Sequence, residues 1–258
     1  MINLFALNVK AELLKCKNTS AVWLTLLGSA FIPAINVIKC ISKPDYFVPK
    51  LQNNPWETWI EYNWQIAASF FLVMYIILIT SLVVQIEYRN NAWKQVYSTP
   101  RSYMDIFLSK ILVIHFFIIG CFLMFNFFIV ISGYLTAFIE DRYAFLSYPA
   151  PIQNMLLISV KMYCSTWAVL SIQYWLSIRT GNFVIPLGIG LALFTGGFMI
   201  RQWENIHYYP YMYPFLIYFK NPGLPSDTPQ HAMINSTLFM ILVLTLSFLH
   251  VSVAKEKG

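Results

Sequence analysis

Charged residues are scarce in this chain of 258 amino acids. Asp, Glu, Lys and Arg make up 11% of it, whereas an ordinary soluble domain has about 25%. So few charges could not cover a surface that faces water. Hydrophobic residues make up 58% of the chain and aromatic residues 17%, with 16 Tyr and 8 Trp. Because Tyr and Trp concentrate where a bilayer meets water, the composition predicts an integral membrane protein.

Several motifs that carry chemistry are also missing. The chain has no GxxxxGK(S/T) loop for a nucleoside triphosphate and no HExxH or GxSxG motif. Its four cysteines, Cys16, Cys40, Cys121 and Cys164, form no CxxC pair and no Cys/His cluster. Although the net charge is +6, there is no dense basic run of the kind that binds nucleic acid. We therefore expect no catalytic centre, no metal and no cofactor in this chain, and no nucleic-acid partner.

Six apolar segments approach the length of about 20 residues that a helix needs to cross about 30 Å of hydrocarbon. They are residues 21–38, 64–86, 111–135, 152–178, 183–200 and 233–254. Lys161 interrupts the fourth segment. Because no internal repeat or linker divides the chain, we predict an all-α integral membrane protein in which residues 1–258 form a single transmembrane domain with six spans.

The lysines and arginines favour one orientation of these spans. With the N-terminus inside, ten of the 17 lie in inner segments and six in outer loops, although the outer loops are longer. Positive charges accumulate on the cytoplasmic side of a membrane, so we predict that both termini are cytoplasmic. The outer loop 201–232 is rich in Pro and Tyr, which is typical of a segment that lies at the outer interface or dips into it as short broken helices.

The first 20 residues have the pattern of a helix in the membrane interface. One apolar stripe contains Ile2, Ala6, Val9 and Leu13, and a second contains Leu4, Leu7, Ala11 and Leu14. Asn8, Glu12 and Lys15 separate the stripes on one side. Two stripes allow one face to contact lipid and the other to contact protein. The alternative is a frayed leader whose lysines anchor the first span.

Residues 87–110 form the one large inner loop. Glu87 to Tyr97 can form a helix on which Trp93 and Tyr97 lie close together, one turn apart. Pro100 ends this helix, and Ser102 with Asp105 resembles a capping box that opens the next one. The pattern predicts a short cytoplasmic helix suited to receiving force from a soluble partner. An ordinary solvated hairpin is the alternative.

These residues resemble a known family. Glu87, the Trp93-Lys94 pair and Ser98-Thr99-Pro100-Arg101-Ser102 leading to Lys110 are similar to the first cytoplasmic loop of type-2 ABC exporter permeases. The resemblance extends to Ala11-Glu12-Leu13-Leu14-Lys15 before the first span, to the six-span count and to a fifth span that contains Pro and Gly. Among such permeases, those of this size often resemble the antimicrobial-peptide (lantibiotic) export and immunity group.

The resemblance implies a permease subunit of an ATP-driven exporter in a bacterial inner membrane. A coupling helix would dock on a separate ATP-binding cassette ATPase, which binds ATP and Mg, and re-entrant helices would follow the fifth span. The coupling loop would contain Glu87, Arg89, Trp93, Lys94, Tyr97, Pro100 and Arg101. The further partners would be membrane lipid and a second permease copy or a related chain, and the substrate would be amphipathic or peptide-like. An ion-coupled secondary transporter and a non-transporting scaffold or sensor are the alternative functions.

Two further groups of residues stand out within the spans. Gly188, Ala192 and Gly196 form a small-residue stripe on the fifth span, which allows close packing either inside the subunit or between subunits. Asn126 and Lys161 are candidates for a substrate pathway, because polar groups in a membrane are costly to bury. For Lys161 two alternatives remain open: an ion pair with Glu140 or Asp141, or an extension of the side chain to the outer surface.

Overall fold

The computed structural model describes residues 2–89, 102–219 and 224–255, and every regular element in these ranges is helical. Helix α1 (Ile2–Cys16) is followed by α2 (Ser20–Ser42). Between them Asn18 has a φ of 61°, a left-handed conformation that Asn tolerates better than most residues. The Thr19 hydroxyl donates to the Cys16 carbonyl at 2.6 Å. The turn at Asn18 and Thr19 therefore ends α1 and lets α2 leave in a new direction.

The next elements include the two longest apolar helices. A short helix α3 (Pro44–Phe47) leads to α4 (Pro55–Ile66), which continues through a π-helical turn at Ala67–Phe71 into α5 (Leu72–Arg89). Helix α6 (Tyr103–Ile139) has 37 residues. The predicted spans 64–86 and 111–135 lie inside these helices, which extend beyond the apolar runs because their polar ends also remain helical.

The second half of the described chain is more broken. Helices α7 (Ile152–Ser165) and α8 (Trp167–Thr180) are bent by 42° at Thr166, inside the predicted fourth span. Helix α9 (Val184–Met199) and the short α10 (Tyr213–Tyr218) precede the last helix, α11 (Thr228–Lys255). An all-helical architecture is thus confirmed for the described residues.

The predicted number of spans is confirmed only in part. Four helices of the described chain are long and apolar enough to cross a membrane: Ser20–Ser42, Pro55–Tyr88, Tyr103–Ile139 and Thr228–His250. The bent pair α7 and α8 adds a fifth if both helices belong to one span. Helix α9 is apolar but has only 16 residues, which is short for a full crossing.

Two ends of the bundle can be distinguished by their contacts. At one end, which we call the α1 end, the Tyr88 hydroxyl donates to the Ile178 carbonyl, and α1 packs beside the start of α6. At the opposite end, which we call the far end, the Tyr143 hydroxyl donates to the Cys40 carbonyl at 3.0 Å.

Large aromatic side chains fill the far end. Trp56, Trp59 and Trp64 of α4 are completely buried, and the Trp59 indole N–H donates to the Ile129 carbonyl at 3.1 Å. Gly133 lies directly under Trp56: a Cβ atom there would be 2.7 Å from the indole ring. Glycine at position 133 is therefore what lets α6 approach α4 this closely.

Part of the Pro- and Tyr-rich segment packs into the bundle at the far end. Tyr211, Met212 and Tyr213 are buried, and the Tyr211 hydroxyl accepts a hydrogen bond of 2.9 Å from the Gln173 amide in α8. Gly190 of α9 leaves space for this amide, since a Cβ at position 190 would lie 2.1 Å from the Gln173 nitrogen. The segment thus contacts residues well inside the apolar helices rather than covering only their ends.

Candidate functional site

Four charged side chains meet at the α1 end of the bundle: Glu12 and Lys15 from α1, Glu87 from the end of α5, and Lys110 from α6. The Lys110 ammonium lies 2.6 Å from Glu87 Oε2 and 2.9 Å from Glu12 Oε2. Lys15 binds the other oxygen of each carboxylate, Glu12 Oε1 and, at 3.0 Å, Glu87 Oε1. Each lysine contacts both glutamates, so the four form a closed ring of alternating charge, which we call the ion ring.

The ion ring is almost completely buried. Glu12, Glu87 and Lys110 are each less than 5% exposed, and only Lys15 is partly open. Burial of a single charge is strongly unfavourable, but this ring contains two positive and two negative charges, and both oxygens of each carboxylate are hydrogen-bonded. The arrangement therefore satisfies the condition under which charges persist inside a protein.

The pKa values of Glu12 and Lys15 are shifted in the direction that favours their charged forms. Burial alone would raise the pKa of Glu12, but the charge of Lys110 and the hydrogen bonds from both lysines outweigh it and hold that pKa below the ordinary value. For Lys15, burial is likewise outweighed by its bonds to the two glutamates, and the pKa is raised. The neighbouring Cys16 is buried, which raises the pKa of its thiol to about 11. At neutral pH this thiol is therefore uncharged.

Helix α1 presents a different face to the bundle from the one that its apolar stripes suggest. Asn8, Glu12 and Cys16 form its buried line, whereas Leu7 and Leu14 are each 60% exposed. Val9 and Leu13 of the first predicted stripe pack against the core, and Leu7 and Leu14 of the second are exposed, but Asn8 and Glu12 between the stripes are the more deeply buried residues. The polar line can be buried because Lys110 and Lys15 neutralise the charge of Glu12. Leu7 and Leu14 are left on the exposed face of the helix.

The ion ring connects both ends of the 87–110 segment. Glu87 is on the last turn of α5, and Lys110 is two turns into α6. Helix α6 begins as predicted, because the Ser102 hydroxyl accepts from the Asp105 N–H at 3.0 Å. A displacement of this segment would therefore act on the ion ring, whose four side chains belong to α1, α5 and α6.

The turn between α8 and α9 also contacts the α1 end, through Tyr88, the residue after Glu87 of the ion ring. The Tyr88 hydroxyl bonds the Ile178 carbonyl, and its ring covers Gly181, whose φ of 61° favours glycine. One turn before this contact, the Tyr174 hydroxyl donates to the Phe107 carbonyl of α6 at 2.8 Å. Polar contacts at the α1 end thus join four helices, α1, α5, α6 and α8.

The structure describes only part of the predicted coupling loop. Glu87 lies in the ion ring, and Arg89 is the last residue of α5. Trp93, Lys94, Tyr97, Pro100 and Arg101 lie outside the described residues. Sequence reasoning named Glu12 and Lys15 as separators of the apolar stripes, and both of them with Lys110 as parts of a resemblance, but missed that the two lysines bind Glu12 and Glu87 together. A signal was available, since each of these charges lies at the edge of an apolar run.

Two residues of the small-residue stripe of α9 face away from the bundle. Gly188 and Ala192 are exposed, and a Cβ at Gly188 would meet no atom within 4 Å. The third, Gly196, is partly buried, and a Cβ there would lie 3.6 Å from the Tyr209 hydroxyl oxygen. The closest packing inside the subunit uses Gly190 and Gly197, against Gln173 and Met212 respectively.

Asn126 and Lys161 occupy contrasting positions. Asn126 is buried and its amide N–H group donates to Ser159 Oγ at 2.6 Å. Lys161 is exposed on α7, and no ion pair in the described part of the chain involves it. The predicted partner Glu140 binds Arg142 instead, at 2.7 Å. Within residues 2–89, 102–219 and 224–255, no three His, Cys, Asp or Glu side chains are grouped as metal ligands.

A family model described as "ABC-2 family transporter protein" matches residues 8–197. The match covers most of the chain and includes part of α1, the ion ring and most of α9. No curated protein and no solved structure matches the chain. The matched range begins within α1, so the buried line that contains Glu12 belongs to the region that resembles this family.

Proposed function

The chain belongs to the ABC-2 transporter family, and on that premise we propose that it is the membrane-spanning permease subunit of an ATP-driven exporter. The observation that carries the proposal is the ion ring, which joins both ends of the 87–110 segment to α1. A segment that receives force from an ATPase needs rigid attachment to several helices, and this ring supplies it. The chain itself has no phosphate-binding loop, so the ATP and Mg belong to a separate ATP-binding cassette subunit.

The orientation follows from the place of this contact. The ATPase is cytoplasmic, so the α1 end, both termini and the 87–110 segment face the cytoplasm of a bacterial inner membrane. The span count is then six, with α7 and α8 forming the fourth span and α9 the fifth. The Tyr211–Tyr213 segment is a re-entrant element at the outer side, a placement supported by its burial and by the bond from Gln173.

The proposed cycle uses the rigidity of the α1 end. Closure of the ATPase subunits displaces the 87–110 segment, and the ion ring passes that displacement to α1, α5 and α6 together. These helices reorient and expel an amphipathic or peptide-like substrate of the kind handled by the antimicrobial-peptide export and immunity group.

Purification of the tagged, full-length chain from its native membrane tests this function. We expect an ATP-binding cassette subunit to co-purify and ATP hydrolysis by the complex to fall at least tenfold in the Trp93→Ala variant. The Trp203→Ala variant, which changes an exposed tryptophan at the far end, is the matched control and should retain the wild-type rate. A complex that transports substrate without any ATPase polypeptide would refute the proposal.

A second copy of the chain is the proposed partner of α9. Gly188 and Ala192 of its stripe are exposed, and stripes of small residues let two helices approach closely. We therefore expect the Ala192→Cys variant to form an oxidant-dependent disulfide dimer in native membranes, since a disulfide requires Cβ atoms about 4 Å apart. The control is Phe116→Cys, at a position on α6 that is 63% exposed.

Gel electrophoresis without reductant measures the cross-link. The unsubstituted protein serves as the blank for the native cysteines. Equal dimer yields from the Ala192→Cys and Phe116→Cys variants would show random collision and would argue against an interface along α9.

A further inference from the structure

The bend of 42° between α7 and α8 has a cause outside those two helices. Sharp bends in helices come from proline, from glycine, from a π-turn or from a group inserted between the backbone hydrogen-bonding partners. Residues 152–180 contain neither proline nor glycine. At the break, the Thr166 N–H bonds the Tyr163 carbonyl, three residues back, at 3.1 Å, so the turn is tighter than an α-helix, whereas a π-turn is wider. An inserted group is the cause that remains.

The inserted group is the hydroxyl of Ser236 in α11, which is completely buried. It accepts a hydrogen bond of 3.3 Å from the Ala168 N–H of α8 and donates one of 2.7 Å to the Cys164 carbonyl of α7. The Ser165 carbonyl is a second acceptor at 3.2 Å. In an uninterrupted α-helix, the N–H of residue 168 bonds the carbonyl of residue 164 directly. The Ser236 hydroxyl therefore lies between the donor and the acceptor of one helical hydrogen bond.

A straighter arrangement of the same groups forms equally many hydrogen bonds. The Ala168 N–H can bond the Cys164 carbonyl directly, and the Ser236 hydroxyl can then bond the Ala232 carbonyl of its own helix, four residues back, as serines in helices do. Each arrangement has two hydrogen bonds and leaves none of these buried groups unpaired. The straight form thus avoids the large cost of a buried group without a partner.

Helix α11 lies at the edge of the bundle. Three of its apolar side chains are each more than half exposed: Ile234, Leu238 and Ile241. The residues of α11 that are completely buried are small: Ala232, Ser236 and Ser247. A shift of α11 away from α7 and α8 therefore withdraws the Ser236 hydroxyl without extracting a large side chain from the core.

We propose that Thr166 is a hinge and that Ser236 sets its angle. With the Ser236 hydroxyl in place the two helices are bent, and when α11 shifts and withdraws it, α7 and α8 form one straighter span. The inner end of α8 is bonded to α5 and α6 through Tyr88 and Tyr174, so in the proposed cycle the hinge lets α8 follow the ion ring. That use rests on the proposed function, whereas the hinge is a property of the chain alone.

Distances between pairs of spin labels in the purified full-length chain test the hinge without an ATPase. One pair joins Gln153→Cys on α7 to Glu57→Cys on α4, and the other joins Arg179→Cys on α8 to Met104→Cys on α6. All four positions are exposed, and the native cysteines are replaced by alanine. Positions 153 and 179 each lie about 20 Å from Thr166 along their helices. Loss of the bend should therefore change at least one of the two distances by on the order of 5–10 Å.

We expect Ser236→Ala to cause this change, because the inserted hydroxyl is gone and the direct helical bond can form. Ser247→Ala is the matched control and should keep the wild-type distances. Ser247 is completely buried and lies on the same face of α11, three turns further on, and its hydroxyl has no hydrogen-bond partner. If both distances stayed the same in Ser236→Ala, with or without a lower melting temperature, Ser236 would only stabilise the packing and the proposal would be overturned. An equal change in Ser247→Ala would overturn it as well.

Discussion

Replacing Glu87 with glutamine is expected to lower the free energy of unfolding by about 3–5 kcal/mol, the effect of removing one partner from a buried ion pair. The substitution hardly changes the shape of the side chain, but it leaves the buried ring, in which Lys110 is 2% exposed, with a net charge of +1. Reversible unfolding in mixed micelles measures the change. Glu57→Gln, the same chemical change at an exposed position on α4, should stay within about 0.5 kcal/mol of the wild type.

A double variant distinguishes charge balance from loss of a contact. Glu87→Leu combined with Lys110→Met removes one charge of each sign and leaves Glu12 paired with Lys15. We expect it to be less destabilised than the sum of the two single variants, because no unpaired charge remains. Additive destabilisation would show that the four residues do not act as a ring.

Gly133→Ala is expected to destabilise the protein by about 1–3 kcal/mol, the usual cost of overfilling a packed core. The new methyl group would lie 2.7 Å from the Trp56 ring, and this ring cannot move away because its indole N–H bonds the Tyr148 carbonyl at 2.9 Å. Gly120→Ala is a control on the same helix, since a Cβ at Gly120 meets nothing within 4 Å. It should raise stability by about 0.5–1 kcal/mol through helix propensity alone. The melting temperatures of the two variants are measured in the same detergent, and equal shifts relative to the wild type would contradict the packing argument.

The sequence was informative where a local pattern determines the structure. Long apolar runs predicted the positions of α2, α5, α6 and α11, because a helix in lipid must satisfy its own backbone hydrogen bonds. The start of α6 at Ser102 was likewise predictable from a capping pattern of four residues. Such features depend on neighbours in the chain, which a single sequence displays.

The sequence was uninformative where contacts between residues far apart in the chain determine the structure. The break at Thr166 lies inside an apolar run and involves neither glycine nor proline, so no local signal marks it. The buried polar line of α1 depends on Lys110, 98 residues from Glu12, and only their contact explains why Glu12 faces inward. The same holds for Gly133 and Gly190, whose neighbours come from other helices.

The alternating charges of the ion ring also have an electrical consequence. The electrical energy of a single elementary charge changes by about 2.3 kcal/mol for each 100 mV when the charge crosses the whole membrane. Glu12, Lys15, Glu87 and Lys110 carry two charges of each sign, so a displacement of the ring as one body moves no net ring charge through the membrane voltage. The ring itself therefore adds no voltage dependence to the proposed step.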